Sequence, residues 1–129
     1  MARRLIPLQI PNKYAMPITF EDAHDDLSRI RLTGRLDIPG IDAISETFTQ
    51  LSHHSKPGIV VDLSGVTFLV SFGLRELITN AKLIQQRGGR MVIFVGDNKA
   101  VYKTLETTGI ASLIPTFTDA EQADRAALD

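Results

Sequence analysis

Residues 59–95 read IVVDLSGVTFLVSFGLRELITNAKLIQQRGGRMVIFV, and this stretch decides the fold. It begins with a short apolar run, Ile59–Leu63, and ends with another, Met91–Val95. Unbroken apolar runs of this length are typical of central strands that are covered on both faces, as in a parallel sheet. Between them apolar residues recur every three or four positions, which predicts an amphipathic helix that Gly88-Gly89 ends. The stretch is therefore predicted to be a β-α-β unit.

The residues before this unit predict an antiparallel hairpin followed by a helix. Met16–Glu21 and Leu27–Thr33 have the composition of strands, and the polar residues 23–26 between them form a turn. Asp37-Ile38-Pro39-Gly40 is a helix-start signal, with proline in the first turn. The apolar stripe of this helix consists of Ile38, Ile41, Ile44, Phe48 and Leu51.

The residues after the unit predict two more helices and a last strand. A third helix starts at Asp97 as its N-cap and ends at Gly109. Leu113–Phe117 is predicted to be the final strand, and Thr118 with Glu121 matches a capping box for a terminal helix, Asp119–Leu128. The order is β-β-α-β-α-β-α-β-α, a mixed sheet with helices packed on it.

Composition excludes several classes of function. With 129 residues the chain is one domain by length, and its net charge of -1 gives no electrostatic reason to bind nucleic acid or an anionic membrane. Cysteine is absent, which excludes disulfides, thiolate zinc sites and cysteine nucleophiles. No apolar run approaches the ~20 residues that span a bilayer. Proline and polar residues interrupt the stretch after Arg3-Arg4, so Met1–Lys13 is predicted to be an arm or an edge segment and not a targeting peptide. The protein is predicted to be cytoplasmic, without direct membrane insertion.

The sequence offers no catalytic or metal-binding constellation. His53-His54 point to different sides of a helix and do not form a chelating pair. Asp25-Asp26 lies in the hairpin turn, where Asp is favoured because its side chain bonds nearby backbone. Nucleophile-elbow and Walker-type patterns are absent. We therefore predict no catalytic residue, no metal and no cofactor. Four basic side chains are predicted to form a solvated strand face: Lys13, Arg29, Arg31 and Arg35.

The segment Asp62–Leu74 allows two interpretations. A buried strand is predicted to end at Leu63, and a partly apolar loop then leads into a helix at Ser71, which is a good N-cap residue. In one interpretation Phe72 is exposed for binding, and Gly73 lets another surface approach the helix N-terminus, which tolerates an anion. In the other, the loop packs its two phenylalanines under the helix. The pattern alone favours neither.

Four segments together resemble the STAS domain, the sulfate-transporter and anti-sigma-factor-antagonist domain. Residues 30–37 resemble its "Leu-x-Gly-x-Leu-Asp" strand end, and residues 59–68 its central "Val-x-Asp-Leu-Ser-Gly-Val-x-Phe". Ser71-x-Gly73-Leu74 resembles the start of its second helix, and residues 88–92 with 105–110 its C-terminal half. The resemblance extends from Met16 to Leu128, which divides the chain into an arm, residues 1–15, and a STAS-like domain, residues 16–129.

The resemblance implies an α/β fold with a mixed four- to five-stranded sheet and helices mainly on one face. It also implies a non-enzymatic regulator, an anti-sigma factor antagonist. Such a domain binds an anti-sigma factor that is also a serine-protein kinase, and it is released when the kinase phosphorylates a serine that matches Ser71. The partner-binding residues are then Leu69, Val70, Ser71, Phe72, Gly73, Leu74 and Arg75. Exposed apolar surface is expected among them. The sequence carries no signal for an oligomeric state.

One departure from the family pattern leaves alternatives open. Phosphorylated members usually carry Asp-Ser-Ser/Thr-Gly, whereas this chain has Val70-Ser71-Phe72-Gly73. The variant is compatible with a scaffold subunit of a signalling complex or an accessory subunit of a transporter, neither of which needs phosphorylation. A third hypothesis, a nucleotide-binding protein or enzyme, uses only the anion-friendly helix N-terminus at Gly73.

Overall fold

The predicted β-α-β unit lies at the centre of a five-stranded sheet with the order β1-β2-β3-β4-β5. The computed structural model describes residues 18–53 and 56–128, and it describes only the backbone of His24, Ser52, His53, Ser71 and Phe72. The predicted arm, residues 1–15, and His54 lie outside the described residues.

The strands are β1 (Ile18–His24), β2 (Leu27–Leu36), β3 (Gly58–Leu69), β4 (Arg90–Phe94) and β5 (Thr116–Phe117). The helices are α1 (Ile38–His53), α2 (Ser71–Gln86), α3 (Lys99–Thr107), α4 (Ile110–Leu113) and α5 (Ala120–Leu128). β1 pairs antiparallel with β2 as the predicted hairpin, and β2, β3, β4 and β5 are parallel to one another. The sheet is mixed, as predicted.

The main core lies between one face of the sheet and the helices α1 to α4. The side chains predicted to be buried in the two central strands are all fully buried, namely Ile59, Val61, Ile93 and Val95. Helix residues at the predicted spacing pack against them, among them Ile44 and Phe48 of α1, Leu77 and Ile84 of α2, and Val101 and Leu105 of α3. Helical periodicity therefore placed the apolar face of each of these helices correctly.

The opposite face of the sheet is covered in part by α5. Ala123 and Ala127 pack there on Leu27, Val60 and Val92. Arg29 of β2 donates to both carboxylate oxygens of Asp124, at 3.0 and 3.2 Å, which attaches α5 to the sheet. The pKa of Arg29 is raised, mainly by this hydrogen bond. Helices thus lie mainly on one face, as expected, with α5 as the exception.

The C-terminal part differs from the prediction of a strand over residues 113–117. Residues 110–113 form the short helix α4, and β5 consists of two residues only. Ile110 and Ile114 are buried whereas Ser112 between them is exposed, which is a helical and not a strand pattern. Gly109, with φ of 85°, makes the turn between α3 and α4.

Two helix caps lie one residue beyond the predicted position. Asn98, and not Asp97, caps α3, because its side-chain oxygen accepts the Val101 N–H at 3.2 Å. Asp119, and not Thr118, caps α5 by accepting the Gln122 N–H at 2.9 Å. In both caps the accepting side chain lies three residues before the donating N–H. Each predicted N-cap is therefore one residue away from the observed one.

Ile38 was assigned to the apolar stripe of α1, and this assignment was wrong. Its side chain is 60% exposed, whereas Ile41, three residues later, is 2% exposed. Ile38 is the first residue of the helix, directly after β2 ends. An exposed isoleucine at this position belongs to the surface and not to the core.

We expect substitutions of these two isoleucines to differ sharply in their effect on stability. Ile41→Ala should lower the free energy of unfolding by about 2–5 kcal/mol, because it leaves a cavity in the core. Ile38→Ala should change it by less than about 0.5 kcal/mol. Urea denaturation of the two variants beside the wild type measures both values. Equal losses would contradict the exposure of Ile38.

Candidate functional site

The candidate site lies where β2 and β3 extend beyond the described parts of their neighbours. Within residues 18–53 and 56–128, the pairing of β1 with β2 ends at Leu32 and that of β4 with β3 ends at Asp62. Residues 33–36 and 65–69 continue to pair with each other, and we call them the β2–β3 ribbon. The loop predicted after Leu63 is therefore wrong, because β3 runs on to Leu69.

β3 contains two residues more than β2 over the same length. Leu27 lies opposite Gly58 and Leu36 opposite Leu69, and the register shifts between Arg31 and Thr33 and again beside Gly34. Extra residues of this kind are β-bulges, which bend a strand and increase its twist. Both bulges lie beyond Asp62, where the pairing of β3 with β4 has ended.

The first bulge is built around the buried carboxylate of Asp62. This side chain is 2% exposed, and Arg31 donates to its Oδ2 from Nε at 3.1 Å and from Nη2 at 2.9 Å. Its Oδ1 accepts the Ser64 N–H at 2.8 Å and the Ser64 hydroxyl at 2.6 Å. A buried charge is tolerated when it is paired and hydrogen-bonded. The carboxylate thereby holds Ser64 in the bulge.

Asn98 holds the side of β3 that β4 no longer covers. Its side-chain Nδ2 donates to three carbonyl oxygens, those of Leu63 and Ser64 at 3.2 Å each and that of Val66 at 2.7 Å. Because Asn98 also caps α3, one side chain joins the ribbon to that helix.

Asp37 organises the junction between β2 and α1. Its Oδ1 accepts the Gly40 N–H at 3.0 Å, and its Oδ2 accepts the Arg35 Nε–H at 3.1 Å. The Gly40 N–H, followed by the Arg35 guanidinium, lowers the pKa of the Asp37 carboxyl. A Cβ on Gly40 would lie 2.3 Å from the Arg35 carbonyl oxygen, so the tight turn requires glycine. The α1 N-terminus is thus already occupied by an anion.

Arg35 and Phe68 form the exposed surface of the ribbon. The guanidinium carbon of Arg35 lies 4.4 Å from the centroid of the Phe68 ring, within the range of a cation–π interaction. Phe68 is nevertheless 42% exposed, and Ile38 follows directly at the start of α1. We call Arg35, Ile38 and Phe68 the ribbon patch.

α2 begins beside this patch. The Val70 N–H donates to the Leu36 carbonyl oxygen at 3.2 Å, which fixes the start of α2 next to the end of β2. Val70, and not Ser71, is the N-cap residue, and its side chain makes no capping hydrogen bond. The first turn contains no acidic residue. The partial positive charge of this N-terminus is therefore not neutralised by a carboxylate of its own first turn.

Gly73 has a different role from the one expected. Gly73 was expected to let another surface approach the helix N-terminus, but this residue is buried. A Cβ at this position would lie 2.4 Å from Ile41 Cδ1 and 2.9 Å from Leu69 Cδ1. The surface that approaches Gly73 is thus the protein's own α1. Glycine here allows α1 and α2 to pack closely at their N-termini.

The predicted binding residues divide into three groups. Arg75 is exposed, and Leu69 and Val70 are half-buried. Gly73 and Leu74 are buried, and Leu74 belongs to the main core, so neither supplies the exposed apolar surface that was expected within this segment. The side chains of Ser71 and Phe72 lie outside the described part of the structure. The segment therefore supplies only part of an interaction surface.

The exposed residues that complete the surface were missed by sequence reasoning. Phe68 was treated as a loop residue, Ile38 as core and Arg35 as one of several scattered cations. The signal in the sequence was the apolar pair Phe68-Leu69. Two bulges interrupt the alternation of side chains between the two faces of β3, so a simple period of two does not assign Phe68 to the exposed face.

Of the basic side chains that were predicted to form a solvated strand face, Arg31 and Arg35 are exposed and Arg29 is half-buried. Arg29 is paired with Asp124, Arg31 with Asp62 and Arg35 with Asp37. Lys13 lies outside the described residues. Asp25 and Asp26 form the turn between β1 and β2, as expected. The cations of β2 thus hold local structure in place.

Among residues 18–53 and 56–128, no group of three or more His, Cys, Asp or Glu side chains could hold a metal ion. None of the helices that the structure describes is long and apolar enough to cross a membrane.

Comparison with known proteins gives consistent relatives. The family model described as the STAS domain matches residues 22–123, well over half of the chain. The chain is similar to an anti-sigma F factor antagonist of Paenibacillus polymyxa, with 27% identity over 95 residues, which are 73% of this chain and 80% of that protein.

Solved structures show the same architecture. The fold is similar to the crystal structure of an anti-sigma factor antagonist from Mycobacterium paratuberculosis, with a TM-score of 0.79 and 25% identity over 95% of this chain and 100% of that chain. It is also similar to the STAS domain of a SulP transporter from Vibrio cholerae, with a TM-score of 0.59 and 23% identity over 80% of this chain and 81% of that chain. The second likeness concerns the fold alone.

Substitution of Gly73 tests the close packing of the two helix N-termini. We expect Gly73→Ala to lower the free energy of unfolding by about 1–3 kcal/mol, because the new methyl group overlaps the Ile41 side chain. Adding Ile41→Val removes the Cδ1 atom that the methyl group meets, so the double variant should be more stable than the sum of the two single effects predicts. Thermal and urea denaturation of all four proteins measure this coupling. Strict additivity would show that Gly73 does not act through Ile41.

Proposed function

This chain belongs to the STAS domain family, and from that premise we propose that it is a regulatory protein-binding module that acts as an anti-sigma factor antagonist. The observation that carries the proposal is the likeness to an antagonist structure over 95% of this chain and 100% of that one. The similarity to the anti-sigma F factor antagonist of Paenibacillus polymyxa also supports it. In this proposal the chain catalyses no reaction and needs no cofactor.

The partner in this proposal is an anti-sigma factor that is also a serine-protein kinase. The unmodified domain binds it and so frees the sigma factor, which is partner switching. Sigma factors act on RNA polymerase, so we place this domain with them in the cytoplasm. The partner's surface is expected to offer an apolar pocket for an aromatic ring and a carboxylate for a guanidinium, since these are the groups that this site exposes.

The interaction surface that we propose combines the ribbon patch with the start of α2. The ribbon patch supplies Phe68, which is 42% exposed with the Arg35 guanidinium over its ring, and Ile38, which is 60% exposed. Aromatic and arginine side chains are enriched among the residues that dominate binding energy. Leu69 and Val70, which are half-buried, follow Phe68 along the chain, and the exposed Arg75 lies near the start of α2. Gly73 and Leu74 are buried.

Ser71 is the proposed phosphorylation site. The γ-phosphoryl group of ATP would pass to its Oγ, the hydroxyl proton would leave to a base of the kinase, and ADP would be released. The new group carries a charge of about -1.5 to -2. The N-cap residue Val70 makes no capping hydrogen bond and the first turn of α2 has no acidic residue, so this N-terminus can accommodate the charge. A partner packed against Val70 and Phe68 would have to bury the charge without a counter-ion, which costs several kcal/mol.

Val70 favours a second candidate function. Phosphorylated members of the family usually carry Asp at this position, and the half-buried Val70 cannot orient a seryl hydroxyl. The alternative is a STAS subunit that is not phosphorylated, either a scaffold of a signalling complex or an accessory subunit of a transport system. A nucleotide-binding role at the α2 N-terminus ranks below both, because it rests on the helix terminus alone.

The ribbon patch is tested by comparing two exposed apolar residues. Phe68→Ala should weaken binding to the cognate kinase by about ten-fold or more, because a central aromatic anchor is lost. Leu113→Ala is the matched control, since Leu113 is 67% exposed on α4 and should leave binding unchanged. Isothermal titration calorimetry measures the Kd, and thermal melting checks that both variants remain folded. Equal effects on binding would remove the ribbon patch from the interface.

Phosphorylation is tested with Ser71→Asp and Ser71→Ala. Ser71→Asp should weaken the complex and leave the melting temperature nearly unchanged, because the helix N-terminus accepts the negative charge. Ser71→Ala should bind the kinase and resist release by ATP. The wild-type protein, incubated with the cognate kinase and ATP, is examined by mass spectrometry. Phosphate only at Ser64 or Thr67, or at no residue, would reject Ser71 as the site and favour the scaffold or accessory function.

A further inference from the structure

The ribbon depends on a side chain that lies outside the proposed binding surface. Beyond Asp62, β3 has no strand on its β4 side in the part of the chain that the structure describes, so its carbonyl groups need other donors. Three of them, those of Leu63, Ser64 and Val66, accept from Asn98. A partly buried backbone carbonyl without a donor destabilises the conformation that holds it. The bent course of β3 therefore depends on Asn98.

The chemistry of the asparagine amide suits this position. The NH2 group has two hydrogens, so the short bond to Val66 takes one and the two longer bonds share the other. Its oxygen accepts the Val101 N–H at the start of α3. The opposite orientation of the amide would place its oxygen against three carbonyl oxygens and its NH2 against an N–H. Only one orientation therefore satisfies both sides.

The contacts of Asn98 lead directly to the binding surface. Val66 is followed two residues later by Phe68, whose ring forms the ribbon patch with Arg35. After Leu69 the Val70 N–H bonds to the Leu36 carbonyl oxygen, and α2 begins. A shift of β3 between Ser64 and Val66 would thus move both Phe68 and the start of α2.

We propose that Asn98 is a positioning residue for partner binding: through three β3 carbonyl groups it sets the place of Phe68 and of the α2 N-terminus. It acts through the ribbon and is not itself expected to contact the partner. The effect of Asn98 on the affinity for the partner rests on the proposed function, whereas the effect of Asn98 on the position of the ribbon does not. The same residue connects the surface to α3, so the position of α3 and the affinity for the partner are coupled.

Asn98→Ser separates positioning from helix capping. Serine is also a good N-cap, so its oxygen keeps the Val101 bond and α3 stays intact. It lacks the amide hydrogens and cannot reach the three carbonyl groups. The matched control is Asp119→Ala, which removes the cap of α5 on the other face of the sheet, away from the ribbon.

Amide hydrogen exchange measures the effect on the ribbon without any partner. In Asn98→Ser, exchange of the amides of residues 65–69 should become faster by about five-fold or more relative to those of residues 59–61, since each lost bond contributes roughly that factor. In Asp119→Ala, any acceleration should follow global stability and affect both segments alike. A uniform change in Asn98→Ser would overturn the positioning role.

Calorimetry with the cognate kinase measures the effect on binding. The Kd should rise about five-fold in Asn98→Ser and stay at the wild-type value in Asp119→Ala, even where both variants lose similar melting temperature. An unchanged Kd in Asn98→Ser would overturn the coupling to the surface. If the wild-type protein itself binds no kinase, the proposed function fails, and the exchange experiment still decides whether Asn98 positions the ribbon.

Discussion

The structure of the site depends on one buried carboxylate. Asp62 is 2% exposed in the central strand, and its charge is balanced by Arg31 and by two donors from Ser64. The Arg31 side chain is 55% exposed, so water weakens the Coulomb part of the pair and the short bonds to Ser64 carry much of the stabilisation. Both bonds join Asp62 to Ser64, two residues later, where the register between β2 and β3 shifts. The buried carboxylate therefore stabilises the bulge beyond which β3 leaves β4 and continues as the ribbon.

Because the ribbon projects, two helices begin side by side at its end. Leu36 and Leu69 are partners in the parallel ladder, and each is the last residue of its strand. α1 and α2 therefore start at the same level. Gly40 and Gly73 permit this arrangement, since a side chain at either position would collide with the turn or with the neighbouring helix. Phe68 and Ile38 do not take part in this close packing, and their side chains remain exposed.

The sequence predicted those parts of the fold whose periodicity is regular. Ile59–Leu63 and Met91–Val95 were recognised as central strands, because both faces of a parallel strand are buried and the apolar run is unbroken. Prediction failed where tertiary structure changes the period. Ser64, Gly65 and Thr67 have the composition of a loop, but bulges accommodate them in β3. The role of Gly73 depends on Ile41, thirty-odd positions earlier, and no local pattern contains that contact. The family motif located the α2 N-terminus correctly, yet it did not include the ribbon patch.

The two neighbouring helix N-termini differ in charge, and this difference is what makes a phosphate switch at α2 physically reasonable. At α1 the N-terminal dipole is already neutralised by Asp37, whose pKa is lowered by the Gly40 N–H and the Arg35 guanidinium. At α2 the N-cap is Val70, which has no polar side chain. An anion added to the start of α2 therefore meets an unneutralised partial positive charge, while one added at α1 would meet a carboxylate. The loss of the family Asp at position 70 increases this difference. It removes a group that could orient the Ser71 hydroxyl, and it also removes a negative charge that would repel a phosphate. In the proposed function the substitution would thus slow the attachment of the phosphate and favour its retention once attached.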